Sequence, residues 1–424
     1  MRMRIKDIAT KVGSGITPKG GATVYQDSGI PLFRSQNVTN DGFLLDDIVY
    51  ISEDIHNSMA GSRLKPNDVL LNITGASIGR CYYLPQDFRE GNVNQHVCII
   101  RLKKNVIPAF LYFNLISATG QKMIKSCQTG ANREGLTKEE LCNFAFEIPT
   151  IEQQSKIVEY LNDKTYKINS NISLLTSKRD AYLRMKKSII NHAVTKGLNP
   201  EVKMKASGVD WIGEIPGHWE RKRLKDIAYL YSGLTGKAGD DFRCDDISKT
   251  KPYIPFTNIL NNLKIDAKKL PRVVMSAGEN QNKVRQNDLL FLMSSEDYES
   301  IAKSAVVMED MGEVYLNSFC RGLHFTSNKI YANFINYQLQ AQNYRDALRF
   351  EARGFTRINI KVDRISSMYV SLPPLSEQQA IATYLDEKCS KIDKIVANLE
   401  KQISLYTDMK RSLIDEVITG KRAV

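Results

Sequence analysis

The chain has 424 residues, of which 25% are charged and 42% hydrophobic, and a net charge of +12. That is room for two or three domains, each with its own core, in a composition typical of globular protein. The excess of Lys and Arg favours a polyanionic partner, most simply nucleic acid, because cations near phosphates release bound counterions. The seven cysteines form no CxxC pair and no even framework, so reduced thiols in a cytoplasmic protein are expected. No charged-then-apolar leader opens the chain, and the longest apolar stretch, AFLYFNLISA at 109–118, is too short to span a bilayer.

Residues 1–150 read as a mixed domain. Short β-type runs, VLLNITG (69–75) and HVCIIRL (96–102), precede one helix-like stretch over 108–126. Residues 151–197 read as a long helix, with Leu161, Ile168, Leu175, Tyr182 and Ile189 at every seventh position. Residues 198–222 lose all periodicity but hold both tryptophans, Trp211 and Trp219, so they read as a connector anchored by aromatics. A second mixed domain is expected over 223–374. A second helical segment, 375–424, carries Leu385, Ile392, Leu399, Tyr406 and Leu413 at the same spacing.

The two halves repeat one another. RIKDIA (4–9) returns as RLKDIA (223–228), IPTIEQQ (148–154) as LPPLSEQQ (372–379), and MKKSIINHAVTKG (185–197) as MKRSLIDEVITGK (409–421). A shift of 224 gives twelve identities in the 36 positions from 160 to 195, against roughly two expected by chance. An internal repeat outranks any local motif as a guide to architecture. Each helix would be about 60 Å long at 1.5 Å per residue, too long to bury its stripe on one compact domain. The other helix is the obvious partner, and the connectivity then demands an antiparallel pair with one domain at each end about a pseudo-twofold axis.

Such a frame suits a split site on duplex DNA, whose own dyad symmetry a two-headed protein can match. Polar side chains at loop tips are the candidate readers. In the first domain they are Thr17, Lys19, Arg34, Gln36, Asn37, Thr74, Ser77, Arg80, Asn94, Gln95 and Arg133. In the second they are Thr235, Lys237, Thr257, Asn258, Ser294, Ser295, Asn317, Arg321 and Arg357. Asn and Gln bond bidentately to adenine edges and Arg to guanine. Asp68 and Asp288, in matching PND and QND turns before a strand, read as turn caps. Helix cations outside the seam, Lys156, Lys178, Arg179, Lys394 and Lys401, are candidates for contact with a partner or the DNA backbone.

Catalytic signals are wanting. GSGITPKGG (13–21) lacks the ending of a phosphate-binding loop, the five histidines are isolated, and Asn199-Pro200 continues into Glu201 rather than a methyltransferase signature. The acidic pairs Asp46/Asp47 and Asp240/Asp241 read as surface charges.

The pattern resembles the specificity subunit of type I restriction–modification systems across essentially the whole chain. The residues that carry the likeness are EIPTIEQQSKIVEYLNDKTYKI (147–168), its copy LPPLSEQQAIATYLDEKCSKIDKI (372–395), GVDWIGEIPGHWERKRLKDIA (208–228) and the turns Gly130–Arg133 and Gly354–Arg357. The strand from Ser77 to Arg80 has no clear counterpart in the second domain. The resemblance implies an α+β protein: two mixed target-recognition domains joined by a long antiparallel two-helix coiled coil, in a pseudo-twofold tandem repeat. It implies a non-catalytic scaffold that reads a bipartite asymmetric site on double-stranded DNA. Two modification subunits would bind S-adenosylmethionine and methylate flipped-out adenine, and two restriction subunits would use ATP and Mg. The competing readings are a self-sufficient DNA-modifying or cleaving enzyme, and a coiled-coil adaptor that binds only protein.

Overall fold

The computed structural model describes residues 1–128, 135–244, 246–276 and 278–424. The chain divides into two compact units, Met1–Ser177 with Glu400–Val424, and Lys178–Leu399. No described helix is long and apolar enough to cross a membrane.

The first unit is built on a four-stranded antiparallel sheet ordered Ala9–Ser14, Val97–Leu102, Val69–Asn72, Cys81–Tyr83. Successive side chains of a strand face opposite ways, and here both faces are covered. Val69, Leu71, Cys98 and Ile100 join one core with helix Pro108–Ile116, while Leu70, Val97 and Ile99 join another with Phe33 and Val38. That double burial explains why the strands read as continuous apolar runs rather than alternating ones. A second sheet places Ile30–Phe33 between Val49–Ile51 and, in parallel, Asn92–Val93.

The second unit has the same order of strands. Its four-stranded sheet runs Ala228–Ser232, Cys320–Phe325, Leu289–Leu292, Ser304–Val306, and its three-stranded sheet puts Thr250–Ile254 between Arg272–Val274 and, in parallel, Tyr315–Leu316. The stretch 108–126, read as one helix, is two. Ser117 breaks it, its hydroxyl capping Gly120 at 3.1 Å between helices Pro108–Ile116 and Ala118–Ser126.

The repeated phrases turn out to be structural. In RIKDIA and RLKDIA, the Asp7 and Asp226 carboxylates accept from the Arg4 and Arg223 amides at 3.1 and 3.2 Å, closing a helical turn that buries Ile5 and Leu224. In the helix-start phrases, Gln154 and Gln378 are buried and make the same three bonds. Gln154 donates to the Asn105 and Pro149 carbonyls and accepts from the Ile107 amide. Gln378 donates to the Lys329 and Pro373 carbonyls and accepts from the Tyr331 amide. Each glutamine ties the start of a long helix to the loop before the domain's own helix.

The PND and QND turns hold Asn67 and Asn287 at φ of 66° and 65°, a conformation Asn tolerates better than most residues. Asp68 and Asp288 cap them, accepting from the Lys65 and Arg285 amides at 2.8 and 2.9 Å. The counterpart of Ser77–Arg80, not found in the sequence, is Ser300-Ile301-Ala302-Lys303. Gly79 donates to the Asn72 carbonyl, and Ala302 donates to the Leu292 carbonyl; the amides of Asn72 and Leu292 bond back to Arg80 and Lys303. Gly79 has φ 85° and Ala302 φ 54°, so the same left-handed turn is kept by an alanine.

The long helices span Ile151–Lys196 and Leu375–Ile418. In the first unit Lys410 donates to Asn169 at 2.9 Å, so the first part of one helix lies against the end of the other. Leu161 and Ile168 share a core there with Leu413, Ile414 and Val417. In the second unit Lys186 bonds Asp393 at 2.6 Å, and Ile190, Ala193 and Val194 share a core with Ile381, Leu385 and Cys389. Leu175, Tyr182, Ile189 and Tyr406 are half-buried, and Ile392 and Leu399 are buried.

Residues 198–222 pair Met204–Ala206 with Glu214–Pro216, and their last residues already belong to strand Glu220–Arg223 of the second unit. Trp219 is wholly buried, edge-on to Phe334 and bonded to Glu377, and Trp211 lies edge-on to Tyr344. Burial pushes the thiols of Cys98 and Cys320 up to about 12, and that of Cys389 to about 11. Iodoacetamide at pH 8 should therefore label the half-buried Cys127, Cys142 and Cys244 well before these three; peptide mass mapping reads the order.

Candidate nucleic-acid interface

The matched ladders bring one cluster to the same place in each unit. In the first, the Ile73 amide bonds the His96 carbonyl and the Leu136 amide bonds the Ile73 carbonyl; in the second, Met293 bonds Phe319 and Ile360 bonds Met293 in the same way. So Thr74 corresponds to Ser294, Asn94 to Asn317, and His96 to Phe319. The Asn94 and Asn317 side chains each accept from the amide two residues on, at 3.1 and 3.0 Å. This Asx turn sets the following ring at the end of the two central strands of the sheet.

The chemistry at those strand ends differs between units. In the first, His96 stands 2.6 Å from the Thr74 hydroxyl and 3.0 Å from the exposed Gln95 amide. In the second, Phe319 is half exposed, and the Arg357 guanidinium lies 4.9 Å over its ring and 2.9 Å from the Ser294 hydroxyl. The strand pairing of Ser294–Ser295 with Ile358–Asn359 brings Arg357 there. Around it opens a cleft of about 380 Å³ that gathers Ser294, Ser295, Asn317 and Arg357 with Phe256 and Phe319. Arg133 and the turn Gly130–Arg133 lie outside the described residues.

His96 and Phe319 were not among the sequence candidates. The signal was the Asn-x-ring spacing shared by Asn94-Gln95-His96 and Asn317-Ser318-Phe319, masked because the two rings are unlike.

The other candidates are placed as follows. Asn37 is buried, and its amide donates to the Leu44 and Asp47 carbonyls. Asn258 likewise spans to both backbone groups of Asp266. Both amides are occupied in bracing a loop. Arg34 donates to the Asp47 carbonyl at 2.7 Å and pairs with its carboxylate at 3.3 Å, and Gln36 bonds the same carboxylate. Asp47 is therefore a brace. Thr235 holds Gln281. Lys237 is 2.6 Å from Glu279 and holds that carboxyl down at about 2. Arg321 donates to the Ser318 and Cys320 carbonyls. Lys19, Arg80 and Thr257 are exposed, while Thr17 and Ser77 are half-buried.

The profile of the family described as Type I restriction modification DNA specificity domain matches residues 1–175 and again 216–405. The chain belongs to that family. It is 22% identical over 361 residues to the Type I restriction enzyme MjaVIII specificity subunit of Methanocaldococcus jannaschii, covering 84% of this chain and 79% of that one. It is 20% identical to the StySPI specificity subunit of Salmonella potsdam, covering 93% and 83%. A solved chain from a study of complex assembly and conformational transition of the type I R-M system superposes with a TM-score of 0.69. That match is 12% identical and covers 99% of this chain and 97% of the other, a likeness of fold.

Proposed function

We propose that the chain is the DNA-specificity subunit of a type I restriction–modification complex and reads a bipartite asymmetric site. Residues 1–150 and 223–374 act as its two target-recognition domains. The observation that carries this reading is one backbone frame built twice, offering unlike side chains at the same strand ends: Thr74, Gln95 and His96 in one unit, Ser294, Phe319 and Arg357 in the other. A shared frame with different chemistry suits two unlike half-sites of one polymer, and the net charge of +12 suits its phosphates.

The long helices, on this reading, form one antiparallel coiled coil that fixes the spacing of the half-sites. Its support is that each unit packs opposite ends of the two helices together, with the heptad residues Leu161, Ile168 and Leu413 buried in one and Leu385 and Ile392 in the other. The chain itself is non-catalytic. Methyl transfer from S-adenosylmethionine belongs to two modification subunits, and ATP- and Mg-dependent cleavage to two restriction subunits.

The test exchanges residues 1–150 for the matching segment of another family member and maps methylated adenines genome-wide. One half-site should change and the other persist. A change in both halves, or none, overturns the reading. Metal-dependent cleavage by the purified chain alone would favour an enzyme instead, and assembly without salt-sensitive DNA binding would favour a protein adaptor.

A further inference from the structure

We infer that the cleft beside Phe319 takes one nucleobase of the target, swung out of the duplex stack. The inference rests on the specificity-subunit reading and adds what this one site binds. A base in a stacked duplex shows a groove only its edge, whereas the cleft is a concavity of about 380 Å³, within the roughly 300–1,000 Å³ range of small-ligand sites. Its walls are aromatic and wet: Phe319 is 53% exposed and Phe256 46%. Leu260 and Leu292 also line it. Every base has a π-face that such walls accept.

The polar groups fit the same occupant. Arg357, held by Ser294 and the Phe319 ring, puts a fixed cation beside the opening, where a swung-out nucleotide would carry its phosphate. Glu296 and Asp297 also line the cleft. On a chain of net charge +12, carboxylates at a DNA-facing site suit the exocyclic amino group of cytosine or adenine.

The cleft belongs to the second unit because an insertion builds it. Thr74 and Ser77 are three positions apart, and their counterparts Ser294 and Ser300 are six apart. The inserted residues are fastened down. The buried Arg345 donates to the Glu299 and Ile301 carbonyls at 3.0 and 2.7 Å, and the Tyr298 hydroxyl donates to the Gly354 carbonyl at 3.1 Å. A loop so pinned is a wall.

The experiment uses the assembled methyltransferase complex and the duplex that the methylation map supplies. 2-Aminopurine is placed in turn at each position of the half-site read by residues 223–374, leaving out the methylated adenines. One position should brighten on binding. Phe319→Ala should abolish that signal and weaken binding roughly ten- to hundredfold, and Phe319→Tyr should keep both. Phe256→Ala, the loss of a side chain outside the core, should lower the same signal without affecting folding. Specific binding with no bright position, or a signal unchanged in Phe319→Ala, overturns the inference alone. Absence of specific binding overturns the specificity reading with it.

Discussion

Arg101→Ala is expected to destabilise the first unit by about 3 kcal/mol, the lower end of the roughly 3–5 kcal/mol for stranding a buried charge. Asp68 is wholly buried, with each carboxylate oxygen 2.7 Å from the Arg101 guanidinium. Without it the carboxylate keeps, among the described residues, its bond from the Lys65 amide. Arg101 is 23% exposed, so water can partly replace it, which sets the figure at the low end. The second unit provides the control. There Asp288 is held by His324 at 2.6 Å and by Tyr231 at 2.5 Å, besides the Arg285 amide. Removing His324 leaves two partners, so His324→Ala should cost about 1–2 kcal/mol. Urea unfolding of the full chain, with hydrogen exchange read separately in each unit, distinguishes the two. Equal losses would show that redundancy around the carboxylate does not matter.

This pair also marks how far the sequence was legible. The aspartates were visible as caps because PND and QND turns announce themselves locally. Their partners were not, since Arg101 and His324 lie 33 and 36 residues further on and share no chemistry that an alignment would match. The long helices were legible because a seven-residue period is a local property, and Leu161, Ile168, Leu385 and Leu413 are buried as that period requires. The period says less near the helix ends. There Ile190, not the heptad residue Ile189, is the buried one, because that turn also packs on the globular part of its unit.

Of the polar loop residues named from the sequence, the structure gathers Thr74, Asn94 and Gln95 around His96 in one unit, and Ser294, Ser295, Asn317 and Arg357 around one cleft in the other. Asn37 and Asn258, by contrast, spend their amides on nearby backbone. An Asn amide that can read adenine can equally brace a turn, and sequence alone does not separate the two. The ladder bonds that pair His96 with Phe319, and Gly79 with Ala302, are made by main chain, so the side chains were free to diverge beyond recognition.

The largest functional effect is expected where two glycines let main chain pass close to main chain. Gly15 and Gly233 correspond: their neighbours Ile16 and Leu234 donate to the carbonyls of Val93 and Leu316. A Cβ on Gly15 would lie 2.0 Å from the Val93 carbonyl oxygen, and one on Gly233 the same distance from that of Asn317. Neither contact can be relieved by turning a side chain, so strands must separate. Overpacking of this kind costs roughly 1–3 kcal/mol, and more where backbone has to shift. The segments displaced are the ones that carry Asn94, Gln95 and His96 in one unit, and Asn317 and Phe319 in the other. Gly233→Ala should therefore lower stability by about 3 kcal/mol and blur the half-site read by the second domain, leaving the first half-site sharp. Gly15→Ala should do the converse. Methylation maps of the two variants, scored position by position, provide the measurement. Loss of stability with both half-sites still sharp would separate the strand crossing from the proposed reading site and place recognition elsewhere on the domains.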